Sequence, residues 1–435
     1  MRYEKQIEIL KKFFKNGEEK KEDYKLGIEF EHFIIDEENL ESISYYGKDG
    51  VGETLKNLEE IGYQGVYEDG YILGLHKGKK HITTEPGSQL EISIDANIDI
   101  EILEEEYLDF LGDIIPILER KNQSLITVGY HPVTKIDEIK LLPKKRYDFM
   151  YNYFAESGGT HAHNMMKGTA ALQIVIDYSS EEDYIRKFKI INALTPPLYA
   201  LFENAFYFEG EEAPYHNMRS YIWENCDKDR SGSVPSSLDE DFGYRKYAEY
   251  ILEKTPIFIM EDEQAVSAEG KTVKELLDPD NYTDEEVEHY LTMFFPDVRT
   301  KDYIEIRMMD SVPYPLSISA LALFKGLLYN EENLEKLSQY IEGITIEDVE
   351  TTKAEMMVEG LDAKLKGETL LEIVRYLVKL AGQGLSEKDK KYLEPLEELA
   401  REGKSPYERI KALSSKGRKE ALKPCILNSL LEGVN

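Results

Sequence analysis

The sequence predicts an α+β protein built on a mostly antiparallel, curved sheet with a concave acidic face, packed by helices. Three observations predict it. Four separated segments alternate polar and apolar residues with period two, as half-buried strands do. Helical spacing fills the stretches between them without regular strand–helix–strand repeats, which disfavours a parallel sheet. The last hundred or so of the 435 residues are strongly helical.

In chain order, residues 3–15 place Ile7, Ile9, Leu10, Phe13 and Phe14 at helical spacing and predict an amphipathic entry helix. KLGIEFEHFIID (25–36) is the first strand segment, and ITTEPGSQLEISID (82–95) is the second, with Pro86-Gly87 interrupting its alternation. Residues 99–121 read as a helix, TAALQIVID (169–177) as the third strand segment, and 181–205 as a helix kinked or split at Pro196-Pro197. The stretch 209–243 is rich in Gly, Pro, Ser and Asp and reads as a long functional loop. DYIEIRMM (302–309) is the fourth strand segment. Beyond about 330 the chain is helical, with a cap at Ser386-Glu387 and breaks at Gly382, Gly384 and Pro395. No internal repeat or low-complexity linker divides the chain, so a single domain over 1–435 is expected, with a helical C-terminal portion.

Lys and Arg number 53 against 85 Asp and Glu, a formal charge of −32. Such a surface repels nucleic acid and anionic membranes, and neither is expected as a partner. The two cysteines, Cys226 and Cys425, do not make a disulfide framework. The charged N-terminus holds no signal-peptide core, and no apolar run is long enough to span a bilayer. A cytoplasmic location is the expectation, as a monomer or weak homodimer, since no long exposed apolar stretch advertises an obligate interface.

The strand segments carry the chemistry. Glu29 and Glu31 share one face of the first, opposite Ile28, Phe30 and Ile34. Glu85, Gln89, Glu91 and Ser93 share a parity in the second, Gln173 and Asp177 in the third, Glu305 and Arg307 in the fourth. In one sheet, these residues would line a single face with Glu29, Glu31, Glu85, Glu91 and Glu305. Carboxylates that close repel one another unless cations neutralise them. Oxygen-only ligands without Cys or clustered His suit Mg²⁺, with Mn²⁺ as the alternative. Alternation of this kind also suits a half-solvated antiparallel sheet, and pattern alone leaves both readings open.

Against this acidity, NMRSYIWENCDKDRSG (217–232) concentrates Arg219, Lys228 and Arg230 beside the only tryptophan, Trp223. Guanidinium groups grip carboxylates and phosphates, although such a loop can equally pair its own charges. With Arg307 on the acidic face, metals beside arginines suit phosphoryl transfer. No Walker-type phosphate loop occurs, and GGTHAHNMMKGT (158–169) has the wrong spacing for one. His161 and His163 within it read as solvent-facing rather than as ligands. Cys226 is a weak nucleophile candidate, with no His partner evident.

Seven stretches together resemble the glutamate–cysteine ligases of plant and proteobacterial type. They are LGIEFEHFIID, TTEPGSQLEIS, LLPKKRYDFMYNYF, the run from MMKGTAALQIVID to FENAFYFEG, NMRSYIWENCDKDRSG, DFGYRKYAEYIL and FFPDVRTKDYIEIRMMD. They run in the family's order across roughly residues 25–330. The resemblance implies a glutamine-synthetase-like catalytic fold and a reaction in which ATP phosphorylates the γ-carboxylate of L-glutamate. The amine of L-cysteine then displaces phosphate to give γ-glutamylcysteine, the first step of glutathione biosynthesis. It implies two or three Mg²⁺ ions with ATP as co-substrate. Carried over by motif, Glu29, Glu31, Glu85, Glu91 and Glu305 would ligate metal, and Gln173 would complete the shell. Arg219 and Arg230 would contact glutamate's carboxylate or the phosphates, Arg307 the transferring phosphoryl group, and Trp223 and Tyr244 the cysteine pocket.

The chain departs from the family pattern in places. Lys167-Gly168 stands where an arginine is usual, and Gln173-Ile174-Val175 replaces Gln-Val-Asn. MMDSVPYPL after Arg307 also differs. These changes keep open a γ-glutamyl ligase for another amine; a second rival, a non-catalytic nucleotide- or metal-binding relative, is opposed by the presence of all the main acids and Arg307. Neither cysteine sits where the plant redox pair would, so no thiol switch is expected.

Overall fold

A computed structural model describes residues 2–261 and 264–430. A nine-stranded sheet forms its centre. The strands are β1 (Leu26–Asp36), β2 (Gln64–Glu68), β3 (Tyr71–Lys77), β4 (Lys80–Thr84), β5 (Leu90–Asn97), β6 (Gln123–Ile126), β7 (Ala171–Ile176), β8 (Val298–Thr300) and β9 (Ile304–Asp310). Their order is β8-β9-β7-β1-β5-β4-β3-β2, with β6 on the far half of β1, and every pairing is antiparallel. The expected α+β class holds.

The helices preceding the C-terminal portion that matter here are α1 (Arg2–Asn16), α2 (Val51–Glu60), α3 (Ile100–Glu119), α4 (Lys145–Ser157), α5 (Ala162–Gly168), α6 (Glu181–Ala193), α7 (Thr195–Phe202), α8 (Met218–Glu224) and α9 (Tyr244–Leu252). Helix α3 covers the apolar face and buries Leu103, Tyr107, Phe110, Leu111 and Ile114. The Phe30 ring of β1 stacks on Tyr107 at 3.9 Å, and His32 Nε2 sits 2.7 Å from the Tyr107 hydroxyl. That contact fixes the register: a slip of one residue would turn Ile28 and Phe30 out and Glu29 and Glu31 into the apolar layer.

The expected 181–205 helix is split, with α6 ending at Ala193 and the two prolines in the first turn of α7, where a missing N–H costs nothing. Pro86-Gly87 likewise divides the expected 82–95 strand into β4 and β5. Gly87 is required there, because a Cβ would fall 2.1 Å from the Lys167 carbonyl oxygen. The long loop at 209–243 contains α8, which the Gly/Pro/Ser composition concealed. The C-terminal helices Leu316–Leu328 and Leu370–Gly384 pack on each other, and the first also meets β1, β7 and α3. The chain then returns to the sheet, where the Leu427 N–H donates to the Leu125 carbonyl at 2.9 Å.

His131, after β6, is wholly buried, and its Nδ1 accepts the N–H groups of Val133 and Thr134 at 3.3 and 3.2 Å. Burial depresses its pKa to about 3. The unfolded chain, titrating near 6.5, takes up a proton that the folded chain refuses. Stability from this site is therefore present above about pH 6.5 and is lost as pH falls toward 3. In urea unfolding between pH 6 and 4, the wild type should lose about 1.4 kcal/mol per pH unit more than His131→Asn, whose Oδ1 can accept the same N–H groups. Equal slopes would mean that His131 is not held neutral.

Candidate active site

The second face of the sheet is set by register. Glu31 lies opposite Glu91, and Glu29 lies between Gln173 and Ser93. Glu305 pairs with Val175 on one side and Arg299 on the other. Glu85 closes the turn between β4 and β5, with its N–H on the Gln89 carbonyl at 2.9 Å. The expected face therefore exists, and period two was enough to find it.

Of the acids on it, Glu305 is buried and Glu29, Glu31, Glu85 and Glu91 are half-buried. Burial, then the neighbouring Glu85 carboxylate, pushes Glu31 up to about 7. Burial and the charges of Glu29, Glu85 and Glu31 hold Glu91 well above the ordinary carboxylate range. Glu29 is raised by burial and by Glu305. Three of the acids find local partners: Glu31 takes the Ala171 N–H at 2.7 Å, Glu91 the Thr83 hydroxyl at 2.9 Å, and Glu85 the Tyr147 hydroxyl at 3.1 Å. Among the described residues, no three His, Cys, Asp or Glu side chains converge as a preformed metal-ligand group. A set of hard, half-buried oxygens, three of whose carboxyls have raised pKa values, nonetheless fits a divalent cation of the Mg²⁺ type.

A basic half meets the acidic one. Helix α8 starts at Asn217, whose side chain accepts the Ser220 N–H at 2.9 Å, and carries Arg219 and Trp223 one turn apart on one face. Arg219 is buried, and its Nε and Nη1 lack protein partners, as does the Trp223 Nε1. With Tyr199, Phe295, Asp297 and Arg307 they line a small recess. Arg307 sits at a β-bulge, where β9 spends Ile306 to Met309 against Ile174 to Leu172 of β7. The extra residue re-aims the strand and its side chain. Arg307 Nη1 donates to the Gln173 amide oxygen and, at 2.8 Å, to Glu305 Oε2. The Gln173 Nε2 donates onward to Glu31 at 3.2 Å.

Three expected residues fall elsewhere or into other company. Arg230 is buried against Asp227 (2.6 Å), the Tyr153 hydroxyl (2.8 Å) and the Thr255 carbonyl, none of them on the sheet. It ties the loop to α4, the internal ion pairing that such a sequence also allows. Tyr244 belongs to an aromatic cluster with Phe14, Tyr178 and Tyr184 between α1, α6 and α9, its hydroxyl on Glu18 at 3.2 Å. Glu305 does face the site, but its partners are guanidinium groups rather than other carboxylates, and they hold it far below the ordinary range. His161 contacts Asn164 and His163 stacks on Tyr151, so neither joins the acidic face. Both are half-buried rather than solvent-facing.

Several residues of the site were missed. Arg299, buried on β8, grips Glu305. Its strand of three residues gives no periodic signal, although its odd parity matches Glu305 and Arg307. Arg146 donates to the Tyr147 hydroxyl at 3.1 Å, and with Lys144 it places positive charge beside Glu85 and Glu91. The basic run PKKR was the available signal. Asp310 is buried near Arg219 and raised by that burial to about 7.

The model of glutamate–cysteine ligase family 2 matches residues 25–425. The chain belongs to that family. It is 31% identical over 414 residues to the chloroplastic glutamate–cysteine ligase of Arabidopsis thaliana, covering 92% of this chain and 78% of the relative. The chloroplastic enzyme B of rice, Oryza sativa subsp. japonica, is 29% identical over 417 residues, covering 93% and 83%. A crystal structure of the Francisella tularensis glutamate–cysteine ligase in complex with AMP shares the fold, with a TM-score of 0.60 over 92% of this chain and 87% of that one at 11% identity. This family member is an ATP-dependent ligase with a glutamine-synthetase-like fold. The cytoplasmic expectation is corrected, because these plant relatives are chloroplastic enzymes. Few cysteines and no apolar span suit any reducing aqueous compartment and do not single out the cytoplasm. No helix among the described residues is long and apolar enough to cross a membrane.

Both cysteines are free and buried, and burial raises both thiols, Cys425 to about 12. Thiolate is the reactive form, so neither is poised for oxidation. Oxidant should cost this enzyme less than about half its activity in a form reversible by dithiothreitol. A larger, reversible loss would reveal a thiol switch.

Proposed function

We propose that this chain joins the γ-carboxylate of L-glutamate to the amine of L-cysteine at the expense of ATP, through γ-glutamyl phosphate, giving γ-glutamylcysteine, ADP and phosphate. The observation that carries this reading is the meeting on one face of the sheet of half-buried glutamates and a guanidinium set with unpaired donors. Residues 1–435 act as one catalytic unit, a monomer or weak homodimer needing no macromolecular partner.

Glu29, Glu31, Glu85 and Glu91 would hold two or three Mg²⁺ ions, with Mn²⁺ as substitute. A cation held there would supply charge neutralisation for the triphosphate and for the transferring phosphoryl group. The chain's own residues do the rest. The free nitrogens of Arg219, with the Trp223 N–H beside them, are matched to a carboxylate or phosphate, the acceptor they lack. Arg307 is held by Gln173 and Glu305 against the edge of the acidic face, where an equatorial phosphoryl oxygen gathers charge. Phe295, whose ring lies 5.8 Å from the Arg307 guanidinium, and Trp223 wall the recess from water. Phosphate leaves the acyl carbon as the amine nitrogen bonds to it, and no protein nucleophile is needed. Catalysis is positioning plus electrostatics.

The test is ADP release by the purified protein with Mg²⁺, ATP and L-glutamate, with and without L-cysteine and a panel of other amines. Release that needs glutamate and is strongest with cysteine is the expected result. Preference for another amine would reassign the product, and no release would leave a binding protein. Glu29→Gln should lower turnover at least ~100-fold with the fold intact. Near-normal turnover in that variant would remove Glu29 from the site.

A further inference from the structure

The acidic and basic halves of the face are joined by one line of contacts running across four strands. It starts on β8 with Arg299, whose Nη2 donates to Glu305 Oε1 at 3.0 Å while its Nε lies 2.7 Å from Oε2. Glu305 on β9 passes Oε2 to Arg307 at 2.8 Å. Arg307 donates to Gln173 on β7, and Gln173 donates to Glu31 on β1. Arg299, Glu305 and Gln173 are buried, and Arg307 and Glu31 are half-buried.

Within this line Arg307 has a particular problem. It sits on a bulge, so the ladder does not fix its direction, and its N–H bonds the Asp297 carbonyl at 3.0 Å outside the strand pairing. A long side chain on a bulge keeps several rotamers unless its head is tied. Gln173 and Glu305 are the only side chains that accept from it among the described residues. Glu305 can hold Arg307 only if its own carboxylate is fixed, and one guanidinium cannot fix a buried carboxylate's plane by a single nitrogen. Arg299 meets both oxygens, donating through Nη2 to Oε1 and lying in ion-pair contact with Oε2 through Nε, and is itself anchored through Nη1 on the Phe294 carbonyl at 3.2 Å. That segment also carries Phe295, the ring beside Arg307.

We propose that Arg299 is a positioning residue of the ligase reaction. It touches no substrate; it fixes Glu305, and through the shared oxygen Oε2 it aims Arg307 at the phosphoryl group. This rests on the reading of Arg307 given above. It predicts a defect in turnover rather than in binding, because substrate is gripped elsewhere, by Arg219.

The experiment is steady-state kinetics of full-length Arg299→Met and Arg299→Lys, with ADP and dipeptide both measured, alone and in an Arg307→Lys background. Arg299→Met should lower kcat at least about tenfold while KM for glutamate and ATP stays within about twofold. Arg299→Lys keeps the charge but spans one oxygen, so its kcat should fall between the two. In the Arg307→Lys background, adding Arg299→Met should cost less than about threefold more, since both changes disable one device. A kcat unchanged in Arg299→Met, a defect confined to KM, or full additivity with Arg307→Lys would overturn the proposal. If Arg299→Met does not fold, the lysine variant and its coupling to Arg307 still decide it. An inactive wild type would instead overturn the functional reading, so the two failures are distinct.

Discussion

Everything in this fold depends on keeping carboxylates inside the central strand of a sheet. Glu29 and Glu31 lie on β1, a strand with neighbours on both sides, and both are half-buried in surroundings that disfavour their charge. A hydrophobic pair at these positions would be more stable by the usual desolvation argument. Their presence makes the face a place where cationic charge is welcome, and the −32 net charge of the chain makes cations locally abundant. The apolar face allows the arrangement: the Phe30–Tyr107 stack holds the register, so the glutamates cannot slip out of the site.

The basic half solves a different problem. In so acidic a chain, arginine would collapse onto the nearest glutamate. The structure prevents this by division of labour. Arg299 takes up Glu305, and Arg230 is used to pin the loop to α4. Arg219 is carried on a short helix with two nitrogens left for a guest. Arg307 is set on a bulge between these groups. Fixed donors and fixed acids of this kind need little reorganisation when charge moves between them.

How much of this was legible in the sequence follows from the physics of each signal. Period two exposed β1, β5, β7 and β9, because each has one face in the core and one in the site. It could not expose β8, with three residues, or β3, where Gly74 breaks the apolar run. Helix α8 was hidden by the Gly- and Ser-rich composition of its surroundings. The faces of Glu29, Glu31 and Gln173 followed from parity, whereas the bulge re-aims Arg307. Arg230 and Tyr244 did not, because their positions depend on loop and helix packing that local pattern does not encode. The partners of Glu305 were missed for the same reason: parity says which face a carboxylate takes but not which charge it meets.

The measurement that bears most directly on the account is the proton balance of cation binding. With Glu31 raised to about 7 and Glu29 and Glu91 raised as well, the cation-free face carries protons near neutrality that a bound cation must displace. Calorimetric titration of the protein with Mg²⁺ at pH 7, in two buffers of different ionisation enthalpy, reads that displacement. The account predicts net release of about one proton or more, diminished in Glu31→Gln. Binding with no buffer dependence, or release unchanged in Glu31→Gln, would contradict the claim that these half-buried glutamates form the cation site.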